Sequence, residues 1–167
     1  MIERRPIIRG QVHQVDCAVR RDGSCPAGEF LDALKRSIWN QADETCSADE
    51  QLGDYSKLLY AIKYWANNGE PAYKDAAKSL EDGVWEFRYA DKRLTFYDTN
   101  GKGGYTAKLP IRDYAEADAP KSQYWQIPNF DYLIRLGFAF TKRSQKTTMS
   151  DLATSGVVRE EDLAHDR

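Results

Sequence analysis

Residues 82–101 read DGVWEFRYADKRLTFYDTNG, two runs of alternating apolar and polar side chains with a tight turn near Ala90-Asp91 between them. Alternation at period two makes half-buried strands, and so short a link between two such runs makes an antiparallel hairpin. The turn sets the register, placing Arg88 opposite Arg93, Phe87 opposite Leu94 and Trp85 opposite Phe96. Opposed residues share a face, so Trp85, Phe87, Leu94 and Phe96 form one apolar surface. The other face carries Glu86, Arg88, Arg93, Thr95 and Tyr97, a basic front with a tyrosine.

Upstream, residues 6–18 (PIIRGQVHQVDCA) read as a first strand of imperfect alternation, followed by a turn at RRDGS. Pro26 then opens a helix with Glu29 in its first turn and Phe30, Leu31, Leu34 and Ile38 on one apolar stripe. Residues 40–50 are polar and serve as a connection. A second helix is expected over 51–66, burying Leu52, Tyr55, Leu58, Leu59, Ile62 and Trp65, with Asn67-Asn68-Gly69 as its stop. Lys74 to Leu80 reads as a further short turn of helix.

Downstream, residues 99–129 hold glycines, prolines and clustered charges, and are expected to be a long, partly ordered insertion with one short strand. Within it, Trp125 either stacks on a base or covers an apolar edge, the second being the commoner use. The last strand, 132–141, alternates, with Tyr132, Ile134, Leu136, Phe138 and Phe140 on one side. Arg135, Gly137, Ala139, Thr141 and Arg143 take the other, and Lys142 starts opposite Arg143. A short helix is expected to begin near Thr148, with Asp151 in its first turn, before a frayed acidic tail at about 159–167.

Strand, two helices, further strands and a terminal helix make a single α+β domain over residues 1–167. Its sheet is expected to be mainly antiparallel, with the two N-terminal helices packed on one face and a short C-terminal helix. The opposite face would expose Arg88, Arg93, Tyr97, Arg135 and Arg143.

Bulk composition narrows the class. At 167 residues, 41% hydrophobic and 30% charged, the chain has the make-up of an ordinary water-soluble domain. No apolar run reaches the length of a membrane span, and MIERRPIIRGQ lacks a signal-peptide core, so the cytoplasm is the default location. Cys17, Cys25 and Cys46 form no CxxC, and neither His13 nor His165 stands at ligand spacing to a cysteine. Reduced thiols are expected, with no metal and no cofactor.

One local anomaly remains. The net charge is -2, yet Arg135, Lys142, Arg143 and Lys146 follow one another without an intervening acid in YLIRLGFAFTKRSQKTT, residues 132–148. An anionic partner explains such a cluster, and so does the ordinary solvated end of a strand.

DGVWEFR followed by RLTFY, and LIRLGFAFTKRSQKT before a short helix, resemble the RelE/HigB superfamily of bacterial and phage-derived toxins. Gly83, Trp85, Glu86 and Arg88 match its first strand motif. Gly137, Phe138, Lys142, Arg143, Lys146 and Thr147 match its last, and PAGEFLDAL resembles its Phe-Leu-x-x-Leu helix. The chain departs from the family in Thr148, where a proline is usual, in the long insertion, and in its acidic balance.

The resemblance implies a RelE-like fold and an endoribonuclease that cuts mRNA, often on the ribosome, neutralised by a cognate helix-turn-helix antitoxin. A ribose 2′-hydroxyl would attack the adjacent phosphate, which demands fixed cations, a proton acceptor and a proton donor. Arg93 and Arg143, then Arg88, are the implied phosphate clamps, because a guanidinium contacts two phosphate oxygens at once. Tyr97 is the implied positioning or protonating group, and Lys142, Lys146 and Arg135 the implied RNA-binding residues. The general base stays open. Two other readings also stay open: a gyrase-directed, non-nuclease toxin of the sister ParE-like branch, and a non-catalytic module with 99–129 as a partner-binding flap.

Overall fold

The computed structural model describes residues 2–39, 47–80, 83–142 and 149–167. Along the chain come β1 (Pro6–Arg9), β2 (Gln14–Cys17), α1 (Pro26–Lys35), α2 (Ala48–Asn68), β3 (Ala77–Ser79), β4 (Trp85–Tyr89), β5 (Lys92–Thr99), β6 (Leu133–Thr141) and α3 (Met149–Ala164). The fold is α+β, with a mixed six-stranded sheet in the order β1-β2-β6-β5-β4-β3. Only β2 and β6 pair parallel; the other neighbours are antiparallel. No helix among the described residues is long and apolar enough to cross a membrane.

The central hairpin has the register its sequence implies, Arg88 opposite Arg93 and Trp85 opposite Phe96. Its turn residue Ala90 sits at φ 51°, a left-handed conformation that costs a residue with a Cβ some strain. α2 is capped at its start by the Ser47 side chain, which accepts from Glu50 N, and ends at Gly69 with φ 71°. Phe30, Leu31 and Leu34 of α1 and Leu58, Ile62 and Trp65 of α2 share one buried cluster with Trp85, Phe87, Leu94, Phe96, Ile134 and Leu136. Trp65 is its centre, meeting Phe87, Phe96 and Phe130 edge-on at 5.4–5.9 Å between ring centroids. Each such side chain taken from water contributes about 1.5–3 kcal/mol. Ile38 and Leu52, placed on the apolar stripes by spacing, are instead 54% and 46% exposed.

Several expectations need correction. The single strand over 6–18 is a β1–β2 hairpin. Its turn lies on the end of α2: Val12 N and His13 N both donate to Ala66 O, and Gly10 leaves no room for a Cβ against the Ala66 backbone. The helical turn expected over 74–80 contains an edge strand, β3, paired to β4. Past Thr99, where β5 ends, residues 100–129 contain no strand among the described residues, only a 3-10 turn at Tyr114–Glu116. The segment is tied to the sheet by Trp85 Nε1 donating to Lys108 O at 2.7 Å and by Lys108 pairing with Asp98 at 2.9 Å.

The largest correction concerns β6. Leu94 pairs with Ala139 but Phe96 pairs with Leu136, so an extra residue is accommodated around Gly137 and Phe138. Such a bulge reverses strand parity beyond it. Ala139 turns into the core with Leu94, while Phe140, opposite Arg93, moves to the other face and stacks with Phe138 at 6.2 Å. The bulge is held by Thr95 Oγ1, which accepts from Phe138 N at 2.9 Å and from Ser155 Oγ at 2.8 Å.

That second face is not open. Val158 and Leu163 of α3 are fully buried and cluster with Tyr97 and Ala18. Residues 159–164, expected as a frayed tail, are the last turns of α3. Arg93, Tyr97 and Arg135, expected to be exposed, are 6%, 6% and 4% exposed.

Candidate functional site

Sheet parity brings Glu86 and Arg88 of β4 and Arg93 of β5 to the same face, with Glu86 opposite Thr95, which Ser155 of α3 meets, and the two arginines paired nearer the hairpin turn. Glu86 has no exposed surface, and Arg88 Nε and Arg93 Nε each stand 3.6 Å from its Oε1. That spacing is beyond hydrogen-bond length, so the attraction is through charge. Neither Glu86 oxygen accepts a hydrogen bond from a described residue, and Arg93 Nε donates none. Arg93 is instead fixed from its far end, with NH1 donating to Ala90 O at 2.7 Å and Lys92 O at 2.9 Å.

The bulge in β6 adds a further cation. Lys142 N donates to Asp91 O at 2.7 Å, and the reversed parity directs the Lys142 side chain toward Glu86, Arg93 and Arg88, with all of which its charge interacts. Straight alternation would have sent it to the core side. Lys78 of β3, opposite Glu86 in the ladder, completes the group.

Electrostatics follow from this crowding. Burial pushes the Glu86 carboxyl above its usual value, against the pull of Arg93, Arg88, Lys142 and Lys78. Burial, then the like charge of Arg88, lowers Arg93, and Lys142 is lowered by burial and by both arginines. Among the described residues the cations Arg88, Arg93, Lys142 and Lys78 outnumber Glu86 and Asp91, the carboxylates whose charge reaches Arg93, which leaves an excess of positive charge that an anion would relieve. The arrangement can therefore accept a proton at Glu86 while guanidinium groups receive negative charge developing beside it.

A raised carboxyl also has a stability consequence. A group with a folded-state pKa above its unfolded value stabilises the fold below the unfolded pKa, and that contribution is lost as pH rises through the folded pKa. Glu86→Gln is thus expected to leave stability at pH 7.5 equal to or above that of the native chain. The gain should shrink as pH falls toward the ordinary carboxyl value of 4.5. Urea midpoints at several pH values read this directly, and a clear loss of stability at pH 7.5 would show Glu86 to be a structural ion-pair partner instead.

Of the site residues expected from sequence, Arg88, Arg93 and Lys142 come together. Arg143 and Lys146 lie outside the described residues. Tyr97 and Arg135 are elsewhere: Tyr97 shares a face with Arg93 but lies four residues along β5, about 13 Å at strand rise. Its hydroxyl donates to Asp162 of α3, and burial first, then the Asp162 charge, pushes it far above the ordinary tyrosine value. Arg135, opposite Tyr97, pairs with Asp162 at 2.7 Å and Asp166 at 3.1 Å, so its charge is answered inside the protein. Glu86 and Lys78 were not among the expected site residues. The signal for Glu86 was present, a lone acid between Trp85 and Phe87 on the basic face, whereas Lys78 was hidden by a stretch read as helix.

Among the described residues no group of three or more His, Cys, Asp or Glu side chains is placed to hold a metal ion. Cys17 and Cys25 are free thiols, and Cys46 lies outside the described residues. No protein-family model matches the chain, and no match was found among curated proteins or among solved structures.

Proposed function

We propose that the protein is a toxin-type endoribonuclease of RelE-like fold, with its two N-terminal helices on one sheet face. In this reading it cuts mRNA on the ribosome and is neutralised by a helix-turn-helix antitoxin. The observation that carries the reading is the buried Glu86 carboxylate with Arg88, Arg93 and Lys142 gathered about it. Glu86 and Arg88 stand in the first strand motif of the RelE/HigB resemblance and Lys142 in its last, while Arg93 opens the RLTFY stretch between them.

In the proposed reaction, Glu86 takes the proton of a ribose 2′-hydroxyl as its oxygen attacks the adjacent phosphorus. Arg93 and Arg88 bind the non-bridging oxygens, where charge builds in the phosphorane. Lys142, its affinity for a proton lowered by burial and neighbouring cations, donates to the departing 5′-oxygen. The products are a 2′,3′-cyclic phosphate and a 5′-hydroxyl. Arg143 remains a proposed clamp and Lys146 a proposed RNA contact. Arg135 and Tyr97 act through the docking of α3.

One observation favours a second reading. A carboxylate with no exposed surface must be uncovered before substrate reaches it. A protein of the same fold that acts by contact with gyrase has no such need.

Induced expression in a bacterial host separates the two. The native chain is expected to arrest growth and to yield mRNA fragments with 5′-hydroxyl and cyclic phosphate ends, whereas Glu86→Gln does neither. With purified protein, the cleavage rate is expected to climb with pH through an apparent pKa above 4.5. Growth arrest with intact mRNA and an induced DNA-damage response would transfer the protein to the second reading.

A further inference from the structure

β3 is the free edge of the sheet. Arg88 N donates to Ala76 O and Leu80 N to Val84 O, so Lys78 lies in the hydrogen-bonded set facing β4. The backbone groups of Ala77 and Ser79 then point away from the sheet. No hydrogen bond from another described residue meets them.

Along this edge, between β3 and residues 110–127, runs a cleft of about 520 Å³. That volume is in the range of small-molecule sites. Its lining pairs cations with aromatic rings: Lys74, Lys78 and Arg112 with Tyr124, Trp125 and the rim of Trp85. The three cations are exposed and form no ion pair with a described residue, and among the described residues the only carboxylate on the wall is Asp75. Tyr124 and Trp125 are half-buried, and Trp125 is braced by a T-shaped contact with Tyr114 at 5.2 Å. Backbone bonds from Ile111 N to Gln126 O and from Ile127 N to Tyr124 O hold that wall in place.

Lys78 belongs to both places. It lines the cleft, and its charge reaches the Glu86 carboxylate across the β3–β4 ladder. The cleft therefore begins where the proposed phosphate site ends. Rings for stacking beside cations for phosphates suit single-stranded nucleic acid. A peptide strand would find an edge of only three residues, with two facing outward.

We propose that this cleft binds the single-stranded RNA nucleotides adjoining the scissile phosphate. A base stacks on Trp125, phosphates meet Lys74, Lys78 and Arg112, and the outward backbone groups of Ala77 and Ser79 meet a base edge. This inference rests on the ribonuclease reading, with Glu86 and Arg93 acting one nucleotide away.

The test measures binding of a fluorescent single-stranded oligoribonucleotide to the full chain carrying Glu86→Gln, which blocks the proposed cleavage. Adding Trp125→Ala is expected to weaken binding about 10–100-fold, with Trp125→Phe restoring most of it. Lys74→Ala with Arg112→Ala, both at exposed positions, is expected to reduce the slope of log affinity against log salt by about 0.7 per lost contact. Unchanged affinity and salt slope in both variants would overturn the cleft. Protection of the Ala77 and Ser79 amides by a partner protein, with RNA binding indifferent to Trp125, would reassign the edge to a peptide strand. Trp125-dependent RNA binding by a native chain that cuts no RNA would keep the cleft and remove the nuclease.

Discussion

Arg93→Ala is expected to slow RNA cleavage by about 10²–10³-fold, the cost of losing one preorganised donor to developing charge. The expectation rests on how the side chain is held. Ala90 O and Lys92 O accept from NH1, so the guanidinium is fixed by the turn of its own hairpin before any substrate arrives. Its Nε points at Glu86 without a hydrogen bond, leaving that donor for an incoming oxygen. Arg93→Lys should recover only part of the loss, because an ammonium keeps the charge but not the planar fork. Initial rates on a short RNA with one cleavage site, with near-ultraviolet circular dichroism as a folding check, measure both. A folded Arg93→Ala protein with an unchanged rate would remove Arg93 from the site.

Asp162→Ala is expected to cost about 3–5 kcal/mol of stability, enough to unfold or nearly unfold a domain of this size. Asp162 is fully buried and accepts from Arg4 Nε at 2.8 Å, Val19 N at 2.9 Å, Arg135 NH1 at 2.7 Å and the Tyr97 hydroxyl. Removing it strands the buried Arg135 guanidinium, the Nε of which already donates to no described residue. Burial works against the Asp162 charge, yet the bonds from Tyr97, Val19 and Arg4 and the charge of Arg135 hold its carboxyl below the ordinary value. The depressed carboxyl contributes stability that is present above the unfolded value of 3.8 and lost as pH falls through the folded one. Asp162→Asn should therefore flatten the acid limb of the stability curve as well as lower the neutral urea midpoint. A variant with the native midpoint would show that α3 docks through Val158 and Leu163 alone.

These two residues mark how far the sequence could be read. Arg93 was accessible because its neighbours are local: a short turn dictates which residues oppose one another, and alternation dictates the face. The same reasoning placed Phe30, Leu31, Leu34, Leu58, Ile62 and Trp65 in the core, where they are. Asp162 was not accessible. In REEDLAHDR it reads as surface acid, and its partner Arg4 is 158 positions away.

Lys142 shows the intermediate case. Straight alternation along β6 sends the side chain to the wrong face, because one bulge at Gly137 and Phe138 changes the parity of everything beyond it. Gly137 was visible, but a glycine in a strand does not announce whether the chain bulges there. That depends on Thr95 and Ser155 closing over the bulge from two other elements.

Local alternation and turn chemistry thus specified the hairpin, its register and its apolar back without help from the rest of the chain. They act between residues a few positions apart, where backbone geometry leaves few alternatives. The covering of the second face by α3, the return of Lys142 to Glu86 and the cleft along β3 were decided only in three dimensions. Each depends on charges and hydrogen bonds between distant segments, and burial determines whether a charged side chain is a surface ornament, a clasp or a site.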